Sequence, residues 1–200
     1  LAITTVVPSG LIAASWGARP LAETLIAGGA DPNGCEGTGV PLVAEAAYRY
    51  DWETIATLID LGADANGLGP DERLAALDMA IERSPALVQR LLDAGADPNI
   101  VTRHYFFRPW SGTTATARRT PVATAFGKGL GPFVQLVRAG GRIEDAYPSM
   151  PLVRVAAEYA WADRLDCLRA FGHDDQAIHE SPHLAAAAGL TSEVDALLHD

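Results

Sequence analysis

The sequence predicts an all-α fold, a solenoid of stacked helix–turn–helix units, and three observations predict it. The phrase Gly-Ala-Asp-x-Asn occurs three times, at residues 29–33, 62–66 and 95–99. The copies are spaced by 33 residues on both occasions. Each copy follows a pair of large aliphatic residues. A fixed period of this size is typical of stacked units that bury a continuous core between neighbours.

Each copy of the phrase predicts the end of a helix and a tight turn. The aliphatic pair, such as Leu58 and Ile59, packs the last helical turn against its neighbours. The Gly that follows, such as Gly62, is able to adopt a positive φ and so to end the helix. The Asp and Asn side chains then hydrogen-bond to the backbone of the turn.

A second recurring segment precedes the second and third copies of the phrase, occurs twice more after the third, and predicts the first helix of each unit. It is rich in small residues and occupies 40–47, 76–81, 120–126 and 150–157. In three of the four segments a Pro stands near the start, where the first helical N–H has no partner to lose. Small side chains let this short helix approach the second helix of the unit closely.

The combined pattern resembles the ankyrin repeat, and about six units can be traced from residue 11 to residue 200. The chain is therefore expected to form one domain over 1–200. The resemblance implies a protein-binding scaffold without catalytic residues or cofactor. Two features depart from the family pattern. Residues 140–144 and 172–176 replace the phrase, and the family's His is replaced in most units by Val43, Asp78, Ala123 and Val153.

An insertion at 100–119 interrupts the period between the third and fourth units. It holds four aromatic residues within six positions, four arginines and no acid. Its Thr, Tyr and Phe residues favour strands, and Ser111-Gly112 favours a turn, so we expect a β-hairpin. Either its side chains contact a partner or they fold back over a hydrophobic seam. The candidate contacts are Arg103, Tyr105, Phe106, Phe107, Arg108 and Trp110.

The resemblance also implies a second surface. In ankyrin-like units the two residues after the paired small residues face a concave groove. Aromatic and arginine side chains, which are enriched at binding hot spots, occupy several of these positions. The candidates in the groove are Tyr48, Arg49, Arg83 and Tyr159.

The composition limits partner and compartment. A net charge of −10 argues against nucleic-acid binding, and it either favours a basic protein partner or only keeps the chain soluble. The sequence contains no run of eighteen apolar residues, so it predicts no membrane-spanning helix. Cys35 and Cys167 fall in distant units, so we expect two free thiols, which are consistent with a reducing, cytoplasmic compartment. We also expect a monomer. Because the chain begins with Leu, a longer protein and a secreted or periplasmic location stay open.

No arrangement of residues predicts catalysis, a cofactor or a metal. His173, His179 and His183 lie among three acids, but their spacing fits no common zinc site. The glycines at 127–131 predict a turn between helices rather than a phosphate loop. The leading hypothesis is a protein-binding scaffold. The alternatives are a toxin-neutralising protein of the immunity type and a regulatory segment of a larger bacterial effector, since the Ala, Arg and Asp content indicates a high-GC bacterial source.

Overall fold

A computed structural model describes residues 19–35, 39–68, 75–108, 113–144, 146 and 151–173. Across these residues the chain is mostly helical, with nine helices and one two-stranded sheet, as the sequence predicts. The sheet lies within the predicted insertion. The elements are α1 (Arg19–Ala27), α2 (Leu42–Tyr48), α3 (Trp52–Asp60), α4 (Ala76–Arg83), α5 (Pro85–Asp93), β1 (Thr102–Arg108), β2 (Thr113–Arg119), α6 (Pro121–Lys128), α7 (Leu130–Arg138), α8 (Leu152–Glu158) and α9 (Ala162–Ala170).

Eight of these helices form four consecutive pairs, each of which is called a unit below. The pairs are α2–α3, α4–α5, α6–α7 and α8–α9. First helices of neighbouring units also touch, since α4 packs against both α2 and α6. Buried alanines such as Ala47, Ala80 and Ala125 make this close approach possible. Larger side chains, Phe126 and Phe133 among them, fill the space within and between units.

The predicted glycine caps are confirmed. Gly29, Gly62 and Gly95 have φ values of 95°, 89° and 88° and stand just past the ends of α1, α3 and α5. At Gly62 the following residue, Ala63, donates its N–H back to the carbonyl of Leu58 at 2.9 Å. No atom lies within 4 Å of a Cβ built on Gly62, so the backbone conformation alone requires glycine there.

Asparagine side chains connect each unit to the next. In each turn the Asp side chain accepts the N–H of the Asn two residues later, as predicted. The Asn side chain, however, reaches into the next unit. Asn33 Oδ1 accepts the N–H of Asp64 at 2.6 Å, and Asn66 Oδ1 accepts that of Asp97 at 2.6 Å. Asn99 Oδ1 accepts the N–H of Arg142 at 2.7 Å, and we call this series the asparagine ladder.

A chain of ion pairs runs across the second helices. Asp60 at the end of α3 contacts Arg90 of α5 and, at 3.0 Å, Arg19 of α1. The hydrogen bond from Arg90, aided by that from Arg19, holds the pKa of the Asp60 carboxyl below its ordinary value, against partial desolvation. This link stabilises the register of three neighbouring second helices.

Several predictions fall outside the described residues. They include most of the sixth unit, the start of the first unit, Trp110, His179 and His183. Of the helices that the structure describes, none is long and apolar enough to cross a membrane.

Candidate protein-binding surface

The insertion forms an antiparallel hairpin whose register is defined along its whole length. Thr102 lies opposite Arg119, Arg103 opposite Arg118 and Phe107 opposite Thr114. Exposure alternates along the base of the hairpin. Thr116 and Arg118 are exposed, Arg119 is half-buried and Thr102 is fully buried. Because successive residues of a strand point to opposite faces, one face of the base of the hairpin is turned to solvent and the other to the helices.

The register assigns the candidate residues of the insertion to these two faces. Positions 103, 105 and 107 share the solvent-facing side with Arg118, and we call it the outer face. Positions 102, 104, 106 and 108 share the other side with Arg119, and we call it the inner face. Arg103, Tyr105 and Phe107 thus hold outer positions, whereas Phe106 and Arg108 hold inner positions. The register therefore assigns the positions to faces, and the choice between partner contact and seam packing stays a prediction.

A buried carboxylate fixes the base of the inner face to the helices. Asp78 of α4 is only 1% exposed. Its two oxygens accept hydroxyl hydrogen bonds from Thr102 of β1 and from Thr124 of α6, both at 2.6 Å. His104 Nε2 lies 2.8 Å from Thr102 Oγ1 and 3.6 Å from Asp78 Oδ2. One residue therefore joins the hairpin to the first helices of two units.

The sequence analysis missed this anchor, although a signal for it was present. Asp78 occupies the slot that holds Val43, Ala123 and Val153 in the other units, and all four side chains are buried. Only the unit that directly precedes the insertion has a polar residue there. A buried polar residue needs hydrogen-bond partners, and the insertion supplies one of them.

A second contact on the inner face lies further along α4. Arg119 NH2 is 3.7 Å from Glu82 Oε1, and both side chains are about a quarter exposed. Together with Asp78 it ties both strands of the hairpin to one helix. The hairpin is thereby positioned by the rigid helical part of the chain.

The groove candidates lie at the ends of the first helices and are strongly exposed. Tyr48 is 67% and Tyr159 65% exposed. Arg49 is also exposed and pairs with Glu45 at 2.6 Å. The guanidinium of Arg83 lies 5.6 Å from the centre of the Tyr50 ring, within cation–π range.

Tyr50 was not among the predicted groove residues. It is half-exposed and has a φ of 58°, which is rare for an aromatic residue. In the same slot of a later unit, Ala160 has a φ of 53°. There Tyr159 stacks on Trp161 with ring centres 5.0 Å apart. These two segments, 48–52 and 158–161, are called the aromatic turns.

Other chemistry is sparse in the region that the structure covers. No group of three His, Cys, Asp or Glu side chains suited to a metal occurs among the described residues. Cys35 and Cys167 are both free, and burial, with a smaller contribution from Asp163, raises the pKa of the Cys167 thiol. His173 lies 3.7 Å from Glu144, in the turn after α9.

No model of a known protein family matches the chain, and no curated protein matches it significantly. The hairpin and the aromatic turns are therefore the features from which a function is inferred below.

Proposed function

We propose that the chain is an ankyrin-like solenoid that binds a protein partner without catalysis, through the outer face of the hairpin and the aromatic turns. The main support for the proposal is that the asparagine ladder continues between the two units on either side of the hairpin. Asn99 joins its unit to Arg142 across the whole insertion. The hairpin is thus an addition to the stack and leaves its closure unchanged.

The ankyrin-like part of the proposal is supported by the repeated local structure. Helix pairs follow one another, glycines with positive φ end the second helices, and Asp–Asn turns link consecutive units. Stacked units of this kind present extended surfaces to other molecules. The same features are compatible with the proposed single domain.

The binding part is supported by the chemistry of the candidate residues and by the anchoring of the base of the hairpin. Tyrosine, tryptophan and arginine are enriched among the few residues that dominate the binding energy at protein interfaces. The hairpin is held by Asp78 through Thr102 and by Glu82 through Arg119. A surface that is ordered before binding loses little conformational entropy in the complex, which favours affinity.

Two neighbouring phenylalanines provide the test. Phe107 holds an outer and Phe106 an inner position, so their alanine variants differ only in the face that is altered. With a partner isolated by affinity capture on the wild-type chain, we expect Phe107→Ala to weaken binding by about 2 kcal/mol and to leave the melting temperature unchanged. If Phe106 packs on the helices, Phe106→Ala is expected to lower the free energy of unfolding by about 3 kcal/mol.

The opposite pattern has a clear meaning. If the folded Phe107→Ala variant binds the partner with full affinity, the hairpin is not the main contact. Tyr48→Ala and Tyr159→Ala then decide whether the aromatic turns are. If neither alters affinity, the proposed surface is wrong.

A toxin-neutralising role is the sharper form of this proposal, and the net charge of −10 favours it, because an acidic chain attracts a partner with a basic surface. The test is co-expression with the product of a neighbouring gene. Rescue of growth that depends on Phe107 supports neutralisation. A fused or adjacent effector domain would instead support the regulatory-segment alternative.

A further inference from the structure

Tyr50 holds a backbone conformation that an aromatic residue disfavours. Its φ of 58° lies in the left-handed region, which glycine adopts freely and other residues adopt at a cost in free energy. Packing in the core does not offset this cost, because Tyr50 is 51% exposed. Strained residues of this kind cluster at ligand-binding and switch regions. The surroundings of the Tyr50 ring are therefore a candidate for a specific binding site.

The ring of Tyr50 holds an arginine of the neighbouring unit. Arg83, the last residue of α4, places its guanidinium carbon 5.6 Å from the centre of the ring. Trp52 contacts the same ring edge-on, with ring centres 5.9 Å apart. The cation–π contact restricts the guanidinium without using its N–H donors, which stay available for a carboxylate. The dipole of α4 favours a cation at this end of the helix, and the ring fixes where that cation lies.

The acidic side chains next to this contact are engaged elsewhere. Glu82 lies 3.7 Å from Arg119, and the carboxylate of Asp51 caps the start of α3. Among the residues that the structure describes, no ion pair joins Arg83 to a carboxylate. The same is true there of Lys128, the exposed last residue of the adjacent first helix α6. The ends of these two first helices therefore form a local positive surface on an acidic chain.

We propose that Arg83 binds a carboxylate in an acidic segment of the protein partner. The guanidinium pairs with the carboxylate through parallel hydrogen bonds, and the strongly exposed Tyr48 meets an apolar group beside it. This inference rests on the proposed function, because it names the chemistry that the aromatic turn at 48–52 recognises. A short acidic segment is favoured over a nucleic acid, whose phosphates extend over a chain with a net charge of −10.

The experiment uses the full chain, immobilised, and a display library of short random peptides. We expect the selected peptides to be enriched in Asp and Glu, and their affinity to fall with added salt. Arg83→Gln should weaken their binding about fivefold, since it removes one positioned charge pair. The matched control is Arg138→Gln, which removes the same charge from another exposed residue at the end of a helix, α7, and should leave the affinity unchanged.

A second variant separates binding from stability. Tyr50→Gly places a glycine at the positive φ, so we expect the melting temperature to stay the same or to rise. The same change removes the ring that positions Arg83, so the affinity for the acidic peptides should fall about threefold. A lower melting temperature with unchanged affinity would show that the ring has only a structural role and would overturn the proposed site.

The other results distinguish this inference from the proposed function. Acidic peptides that bind Arg83→Gln at full strength would overturn the inference, and so would selected peptides without enrichment in Asp and Glu. In either case, loss of binding in Tyr48→Ala would leave the proposed surface in place. A library that yields no binder would overturn both. A single-stranded DNA oligonucleotide that binds as tightly as the acidic peptides, and is released by Arg83→Gln, would replace the polypeptide with a nucleic acid.

Discussion

Two junctions between units are closed by the same asparagine clamp, although only one of them carries an insertion. At the plain junction, Asn66 accepts the N–H of Asp97 at 2.6 Å and donates to the carbonyl of Gly95 at 2.9 Å. At the junction with the hairpin, Asn99 makes the equivalent bonds to Arg142 and Gly140 at 2.7 and 3.0 Å. The contact between units is thus independent of the length of chain that separates them.

The same two junctions differ inside the first helices. The plain unit has Val43 in the slot where the unit before the hairpin has Asp78, and both side chains are buried. The stack itself does not need a polar group in this slot, because Val43 fills it with carbon. The unit before the hairpin uses one, because the buried hydroxyl of Thr102 donates to Asp78 at 2.6 Å and has the more distant carbonyl of Arg119, at 3.2 Å, as a further acceptor. One buried polar residue, Asp78 in place of a valine, therefore distinguishes the unit that carries the hairpin.

The largest expected effect comes from making the second junction resemble the first. Asp78→Val removes the carboxylate that accepts hydrogen bonds from the buried hydroxyls of Thr102 and Thr124, and leaves Thr102 the more distant carbonyl of Arg119 at 3.2 Å. We therefore expect a loss of about 3 kcal/mol in the free energy of unfolding. Urea denaturation measures this loss. Asp78→Asn keeps one carbonyl acceptor and should lose less. Trypsin should also cleave the Asp78→Val hairpin faster at its arginines. Unchanged stability and cleavage would show that Asp78 does not anchor the hairpin.

The glycine caps should be equally important at both junctions. Gly62→Val and Gly95→Val each force a β-branched residue to a positive φ, and we expect each to destabilise the protein by about 2 kcal/mol. Gly127→Val is the control, since that site is open and lacks a positive φ. Thermal melts compare the three variants. A loss at Gly127 as large as that at Gly62 would attribute the effect to added bulk and contradict the cap assignment.

The asparagine clamps should also be equivalent. Asn66→Ala and Asn99→Ala each remove two hydrogen bonds between units, and we expect each to lower the free energy of unfolding by about 1.5 kcal/mol. Chemical denaturation of both variants provides the measurement. A much smaller loss for Asn99 than for Asn66 would mean that the hairpin itself holds its junction together, which contradicts the independence described above.

Acid should weaken the contact between second helices at the first junction. There the Asp60–Arg90 ion pair joins α3 to α5, whereas α5 and α7 of the second junction share a neutral hydrogen bond, from Gln135 to Gln89 at 2.8 Å. Since the folded-state pKa of Asp60 is lowered, its stabilisation is present above the ordinary carboxyl pKa and is lost as pH falls through the lowered value.

Because the pair is partly exposed, the effect should stay below about 1 kcal/mol. Stability curves of wild type and Asp60→Asn between neutral and acidic pH test this. The two curves should converge in acid. Curves that stay parallel would exclude Asp60 as a source of the pH dependence.

The parts of the fold that depend on local sequence were predictable. The helix pairs follow from periodicity, Gly62 from its place after an aliphatic pair, and the hairpin from the aromatic and Thr residues of the insertion. Partners far apart in sequence were not predictable in the same way. From its sequence neighbours alone, Asn66 is predicted to bond within its own turn. In the structure its side chain bonds to Gly95 and Asp97 of the next unit, which only the folded chain brings beside it.

Tyr50 illustrates a different limit. Its positive φ is maintained by backbone bonds, from its own N–H to Ala47 and from that of Asp51 to Ala46. A turn of this kind normally selects glycine, so the residue type gave no indication of it. Its contact with Arg83 depends on the stacking of two units. Sequence patterns within one unit contain no information about that distance.

The clamp made by Asn99 has a consequence for how this chain can diversify. Since the neighbouring unit is held at a fixed place whatever connects to it, the segment between residues 100 and 119 is an exchangeable cassette. Doubling the length of a flexible loop adds only about 0.6 kcal/mol of closure entropy. A different recognition element, natural or engineered, can be grafted between Asn99 and Thr120 if position 78 is changed to match it.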